Sequence, residues 1–381
     1  MRVNIFSKQG YCNFFCVLYF FISDLSKFLA DFGLSRAISY IFFLFCFIVY
    51  LFVLRKRITP LDLLIQLLFS FVAIYGLVRN AEYIDDRSRL CATVIVFIPA
   101  FYFFRTASFD SLLYGLKYAS IYSSIYLIYY YITVIRGSIG YDLNYDMSYS
   151  RGCAIPACVL FYYYLYERKL VFLILSVFLF ATSFLAGSRS APMLTLACFA
   201  LFLMVKLKNR KYGNTLVLIF FFLLAIVKVR LEWILLDLLG LPEASRNVAK
   251  IFDGDLFVSQ PREELYNQVT TLISLQPTGY GPLTSRRILD SVYPHSFFYE
   301  LQLDYGIYVG IAIFGLVMLM AVTLVIKNRD NALAPLVLPM CIVGLGVLMV
   351  SSSYFLGYVV PAITALFIRG FLGKNVKGIL Q

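Results

Sequence analysis

Apolar runs of membrane-crossing length follow one another along almost the whole chain, separated by short polar connections that carry most of its charges. An apolar helix of about 20 residues covers a hydrocarbon core about 30 Å thick. Laid along the chain, that length predicts spans centred near residues 20, 46, 69, 97, 124, 159, 178, 198, 222, 316, 341 and 363. The expectation is an all-α fold: one polytopic transmembrane helical bundle of about 12 spans, a single domain over residues 1–381. The first run, 11–22, follows Arg2 and Lys8 as in a signal peptide, but "SDLSKFLADFGL" after it offers no small-x-small cleavage site, so it is read as a span.

One connection breaks the rhythm. Residues 229–294, between the ninth and tenth expected spans, form a single long segment, and a connection of that length is functional or a small subdomain. Within it, "LEWILLDLLGLP" (231–242) is apolar almost all round and carries the only tryptophan, which suits a helix lying at the lipid interface. A second helix is predicted from Pro261, with acids at 263 and 264 in its first turn and an apolar face of Leu265, Val269, Leu272 and Ile273. Pro277 stops it, and Gly279 and Gly281 make a turn.

Composition closes off whole classes. With 61% hydrophobic and 14% charged residues, a water-soluble globule is excluded. The formal charge of +12 does not indicate nucleic acid, because Lys and Arg are scattered over short connections and build no basic domain. Topology accounts for them instead. Arg2, Lys8, "RKR" (55–57), Arg105, "ERK" (167–169), "KLKNRK" (206–211), "KNRD" (327–330), Arg369, Lys374 and Lys377 all fall on one side of the expected bundle. The opposite short loops hold far fewer cations (Lys27, Arg36, Arg79, Arg87, Arg89, Arg136, Arg151, Arg189), while most acids lie on that side. The positive-inside rule then predicts both termini in the cytoplasm and the long connection on the outer face. The cysteines sit in or beside apolar runs without a CxxC pair, and a single histidine adds little to a ligand set, so neither zinc nor a disulfide is expected.

The middles of the spans are nearly free of charge. Asp24, Lys117 and Lys228 stand near expected membrane edges, and no buried ionisable relay of the kind used by proton- or ion-coupled transporters is evident. The polar side chains that call for an explanation are on the outer face: Arg136, Arg151, Arg189, Arg246, Arg262, Arg286, Arg287 and His295. The ordinary reading of one such arginine is an interfacial anchor or a solvated loop charge. Arg189 differs, because in "FLAGSRSAPML" it ends one apolar helix among small residues that leave room for a ligand beside a planar, phosphate-matching fork. His295 is the only histidine; an imidazole of ordinary pKa, near 6.5, accepts a hydroxyl proton at neutral pH. Together with arginines holding a leaving pyrophosphate, it would supply what group transfer to an alcohol requires. Asp142 and Asp146 in "GYDLNYDMSYSRG" are candidate sugar contacts, with aromatic neighbours to stack on pyranose rings. "DGD" at 253–255 reads as a loop turn, with a divalent-cation site as its rival.

Three of these stretches together resemble the O-antigen ligase and polymerase family. Arg262, then Tyr266, Pro277, Gly279 and Gly281 in "REELYNQVTTLISLQPTGYG" are similar to its Arg-aromatic helix ending in Pro and G-x-G. His295, Ser296, nine residues and Gly306 resemble its H-[NSQ]-x9-G signature, and Arg189 in "AGSRSA" its small-residue Arg motif. The resemblance covers about 180–326; Tyr266 replaces a common Trp, and Val309 stands where the ligase pattern has Gly, Thr or Tyr. It implies a metal-independent membrane glycosyltransferase of the bacterial inner membrane, working without a cofactor at the periplasmic face on an undecaprenyl-pyrophosphate-linked oligosaccharide. By that resemblance His295 would be the catalytic base and Arg189 and Arg262 would hold pyrophosphate; by their outer-face positions Arg286 and Arg287 are expected to join that grip, and Arg136, Arg151, Asp142, Asp146 and Tyr266 to meet the acceptor or its sugars. A polymerase of lipid-linked repeat units is preferred to a ligase acting on lipid A core because of Val309. A lipid-linked sugar flippase or other transporter is the alternative from another class. Besides the lipid bilayer, a chain-length regulator and a flippase are the partners implied.

Overall fold

The computed structural model describes residues 7–54, 59–80, 82, 96–135, 147–186, 190–207, 261–289, 294–351, 353–354 and 357–372. Every extended regular element among the described residues is helical. In chain order these are α1 (Lys8–Asp31), α2 (Arg36–Leu54), α3 (Pro60–Arg79), α4 (Ile98–Thr106), α5 (Phe109–Tyr130), α6 (Met147–Glu167), α7 (Leu170–Leu185), α8 (Ser190–Leu207) and α9 (Pro261–Leu275). They continue with α10 (Ser285–Ile288), α11 (Phe297–Tyr305), α12 (Ile307–Asn328), α13 (Ala334–Leu338), α14 (Leu345–Ser351) and α15 (Val359–Leu372). Wider π-type turns occupy Tyr131–Ile135 and Pro339–Gly344; Pro339 has no N–H for an ordinary helical bond to Pro335.

Among the described residues five helices are long and apolar enough to cross a membrane: Lys8–Asp31, Arg36–Val53, Pro60–Arg79, Ser190–Leu207 and Ile307–Asn328. Shorter apolar helices lie at Leu170–Leu185, Ala334–Val350 and Val359–Gly370. The expected spans near 124 and 159 coincide with α5 and α6, and the one near 222 lies outside the described residues. The protein is a membrane protein, helical throughout its described regular elements. Its spans carry large apolar side chains outward, as Phe45, Phe52, Phe71 and Leu319 do, which lipid rather than water must cover.

The chain divides into two compact units. The first comprises Met1–Leu116, Gln260–Lys327 and Leu348–Gln381. Its aromatic centre is built from α1, α2 and α4, where Tyr19 stacks on Phe103 at 4.1 Å and Phe15 on Tyr50 at 4.5 Å. Thr59 caps α3 by accepting the Asp62 N–H, with Pro60 ready-shaped for the first turn. Asp62 pairs with Arg105 at 2.7 Å, and Arg369 on α15 donates to the Ala107 carbonyl at 2.6 Å with its guanidinium over Phe109. Twenty residues away, the other end of α3 meets a different part of the unit: Asn80 Nδ2 donates to the Pro282 carbonyl at 3.1 Å. At 1.5 Å per residue these two ends are about 30 Å apart.

The second unit comprises Lys117–Ser259 and Asn328–Val347. Small hydroxylated residues seat α6 on α7: the Ser150 and Ser183 hydroxyls each donate to the other's carbonyl, at 2.8 and 2.9 Å, and Tyr149 donates to Thr182 Oγ1 at 2.9 Å. At the opposite end of α6, Glu167 pairs with Lys117 and Lys169.

Candidate active site

The motif residues of the first unit fold into one cluster around α9, α10 and α11. Val269, Ile273, Leu289 and Leu303 form its apolar centre, with Leu265, Leu272, Tyr280, Tyr299 and Ile307 packed against it. Burying Val269 and Leu303 completely contributes roughly 1.5–3 kcal/mol each. The turn after α9 is hydrogen-bonded to the far end of α11: Tyr280 N donates to the Leu303 carbonyl at 2.9 Å, Gly281 N to Asp304 at 2.8 Å, and Ile307 N to Pro277 at 3.0 Å. With their C-terminal ends joined in this way and Tyr266 packed on Tyr299 at 5.2 Å, α9 and α11 run side by side in the same sense. Arg262 at the start of α9 and His295 just before α11 therefore belong to the same end of the cluster.

His295 is half-buried, its Nδ1 enclosed, between the buried Pro294 and Ser296. Its φ of +53° is a left-handed conformation that costs a side-chain-bearing residue about 1–2 kcal/mol. Surrounding packing holds it there, and strain of this kind gathers at functional positions. Ser296 follows in extended conformation as the N-cap of α11, without a side-chain cap bond.

Two further carboxylates stand on α11 itself. Glu300 and Asp304 are both buried, one turn apart on α11. Glu300 accepts the Ser353 hydroxyl and, at 3.2 Å, the Tyr354 N–H. Asp304 Oδ2 accepts the Leu283 N–H at 3.0 Å and the Tyr354 hydroxyl at 2.8 Å. Burial pushes the Asp304 carboxyl up to about 7, opposed by the Tyr354 hydroxyl and the N–H groups of Leu283, Ser285 and Thr284, which favour its ionised form. Leu283 is itself left-handed, at φ +59°. Arg79 also reaches this turn, since a Cβ on Gly281 would come within 2.7 Å of its Nη1.

Of the residues singled out from sequence, His295, Tyr266 and Arg287 are described here in full; the latter two are half-buried. Arg262 and Arg286 are placed on α9 and α10 by their backbone. Arg151 lies in the second unit, next to Ser150, whose partner Ser183 is in the last turn of α7. Arg189, Arg136, Asp142, Asp146, Arg246 and the "DGD" stretch fall outside the described residues, as does the first part of the long connection, 229–260, with "LEWILLDLLGLP" in it. Glu300 and Asp304 share a helix face by their i, i+4 spacing, which shows nothing of their burial or partners; Arg79 had a signal in its place at the end of a span. An imidazole at the same end of the cluster as the start of α9, where Arg262 stands, has the chemistry to take a proton from a hydroxyl.

Residues 174–315 match the family model described as O-antigen ligase. That stretch contains Arg189, Arg262, Arg286, Arg287 and His295, and the match agrees with the resemblance to the O-antigen polymerase and ligase family. No curated protein and no solved structure matches the chain significantly.

Proposed function

We propose, taking the likeness of residues 174–315 to the O-antigen ligases as premise, that this protein is a polymerase of undecaprenyl-pyrophosphate-linked oligosaccharide units. In this reading the acceptor sugar's hydroxyl oxygen attacks the anomeric carbon of the donor glycan. The bond from that carbon to the pyrophosphate oxygen breaks, and its electron pair leaves with the lipid pyrophosphate. His295 takes the hydroxyl proton as general base and afterwards releases it to water. Arg189, Arg262, Arg286 and Arg287 bind the pyrophosphate charge that develops, the role a metal fills in other transferases. Arg136, Arg151, Asp142, Asp146 and Tyr266 contact the acceptor or its sugars.

The observation that carries this reading is the convergence of the motif residues Arg262, Tyr266, Gly279, Gly281, His295 and Gly306 on the α9–α11 cluster. Its placement supports outer-face chemistry. The cluster meets the Asn80 end of α3, about 30 Å along the helix from the Arg105–Asp62 pair. Basic residues mark the cytoplasmic side. We accordingly place the bundle in the inner membrane with about 12 spans, both termini cytoplasmic and the 229–294 connection periplasmic. A chain-length regulator and a flippase are its expected partners.

The description of the matched family favours a second reading, transfer of glycan to lipid A core. Val309 in place of the ligase pattern's Gly, Thr or Tyr inclines the choice to polymerase. Lipopolysaccharide profiles of a deletion strain separate the two. Loss of a polymerase leaves single repeats on core lipid; loss of a ligase leaves none and strands polymer on the undecaprenyl carrier.

A further inference from the structure

Asp304 occupies an uncommon position for an acid. It is buried on α11, nine residues after His295, and faces the backbone of the turn that leads into α10. That turn contains Gly281, the left-handed Leu283 and then Arg286 and Arg287. The Leu283 N–H in it donates to Asp304 Oδ2 at 3.0 Å, and the nearby N–H groups of Thr284 and Ser285 also favour the ionised acid. α10 has only four residues and its N-cap, Thr284, makes no side-chain cap bond. An isolated helix that short has no stability of its own, so its geometry comes from what holds its first turn. From the other side, Tyr354 ties the same carboxylate to the chain just beyond α14, while Glu300 binds Ser353 and the Tyr354 N–H.

We infer that Asp304 is a positioning residue: its carboxylate fixes the turn 281–285 so that the Arg287 segment is preorganised to receive the lipid-linked diphosphate. This rests on the proposed function and deepens it by naming what sets the arginine-bearing turn in place. A carboxylate suits the task because it is acceptor-only, with lone pairs enough for several converging donors. An asparagine would replace one carboxylate oxygen with an amide N–H₂ beside the Leu283 N–H and remove the charge that the neighbouring N–H groups favour. The raised titration of Asp304 accords with this role, since an acid kept where burial disfavours its charge costs the fold and is retained for position. The titratable and charged groups around it are the Tyr354 and Tyr305 hydroxyls and the Glu300 carboxylate, with Arg287 on α10 and Arg79 reaching the turn at Gly281.

The test uses the full-length protein in detergent at pH 8, with undecaprenyl pyrophosphate as the binding probe and hydrogen exchange of peptides covering 281–289 as the second readout. Asp304→Asn is expected to exchange faster in that segment and to bind the probe about tenfold more weakly or worse. Wild-type affinity should also strengthen as pH rises through 7 by more than that of Asp304→Asn, which lacks the titrating group. Tyr354→Phe keeps its ring and loses one donor to Asp304, so it should shift both readouts the same way by a smaller factor; it decides the matter if Asp304→Asn does not yield folded protein. Unchanged exchange or unchanged probe affinity in the variant that folds overturns the positioning role and leaves the proposed function standing. Failure of the wild-type protein to bind the probe at all overturns both.

Discussion

Gly279 and Gly306 interlock. Each has a φ of +85°; a Cβ on Gly279 would collide with the Gly306 nitrogen and come within 2.6 Å of the Tyr305 carbonyl carbon. A Cβ on Gly306 would come within 2.5 Å of the Pro277 oxygen. The turn after α9 can therefore lie directly on the α11–α12 junction only with bare backbone at both positions. Gly306→Ala or Gly279→Ala is expected to cost about 1–2 kcal/mol for the left-handed conformation alone, with the backbone collision added. Gly315→Ala on α12, whose Cβ would meet nothing within 4 Å, should be neutral or slightly stabilising. Thermal unfolding of the three purified variants in detergent checks this.

A pH dependence follows from Asp304. Its folded-state carboxyl lies at about 7, above the ordinary 3.8, so between these values the folded protein holds a proton that the unfolded chain has released. The stability this group contributes is complete below pH 4 and falls as pH rises through 7. Thermal midpoints measured from pH 5 to 8 should therefore decline more steeply with pH for wild type than for Asp304→Asn. Parallel curves would contradict the buried, titrating carboxyl.

Arginine at 262 should not be replaceable by lysine. A point charge cannot reproduce a two-pronged grip on pyrophosphate, so Arg262→Lys is expected to lose about 10- to 100-fold in kcat/KM toward the lipid-linked donor. Steady-state kinetics on the purified variant measures it, with unfolding temperature as the control for structure.

Much of the bundle was legible in the chain because membrane spans announce themselves by length and apolarity alone. α1, α2, α3, α8 and α12 are such runs. The helix starting at Pro261 and its stop before Pro277 were equally plain, since proline and glycine act locally. The buried acids were not. Glu300 and Asp304 read as outer-face charges, whereas Asp304 takes its meaning from Leu283 and Tyr354, 21 and 50 residues away, and Glu300 from Ser353 and Tyr354, 53 and 54 away. The same holds for Asn80, whose partner Pro282 is 202 positions further on. Such pairings are set by tertiary packing and leave no periodic trace. The left-handed backbone at His295 was likewise invisible, because nothing in a Pro-His-Ser tripeptide requires it.

The central claim is that His295 performs chemistry. The direct measurement is turnover of purified wild type and His295→Ala with lipid-linked oligosaccharide, in the presence of a chelator. Expected are metal-independent glycan transfer by wild type, a loss of about 10² to 10⁴ in rate for His295→Ala, and an unchanged unfolding temperature. Near-intact activity in the variant, or wild-type transfer abolished by the chelator, would contradict it.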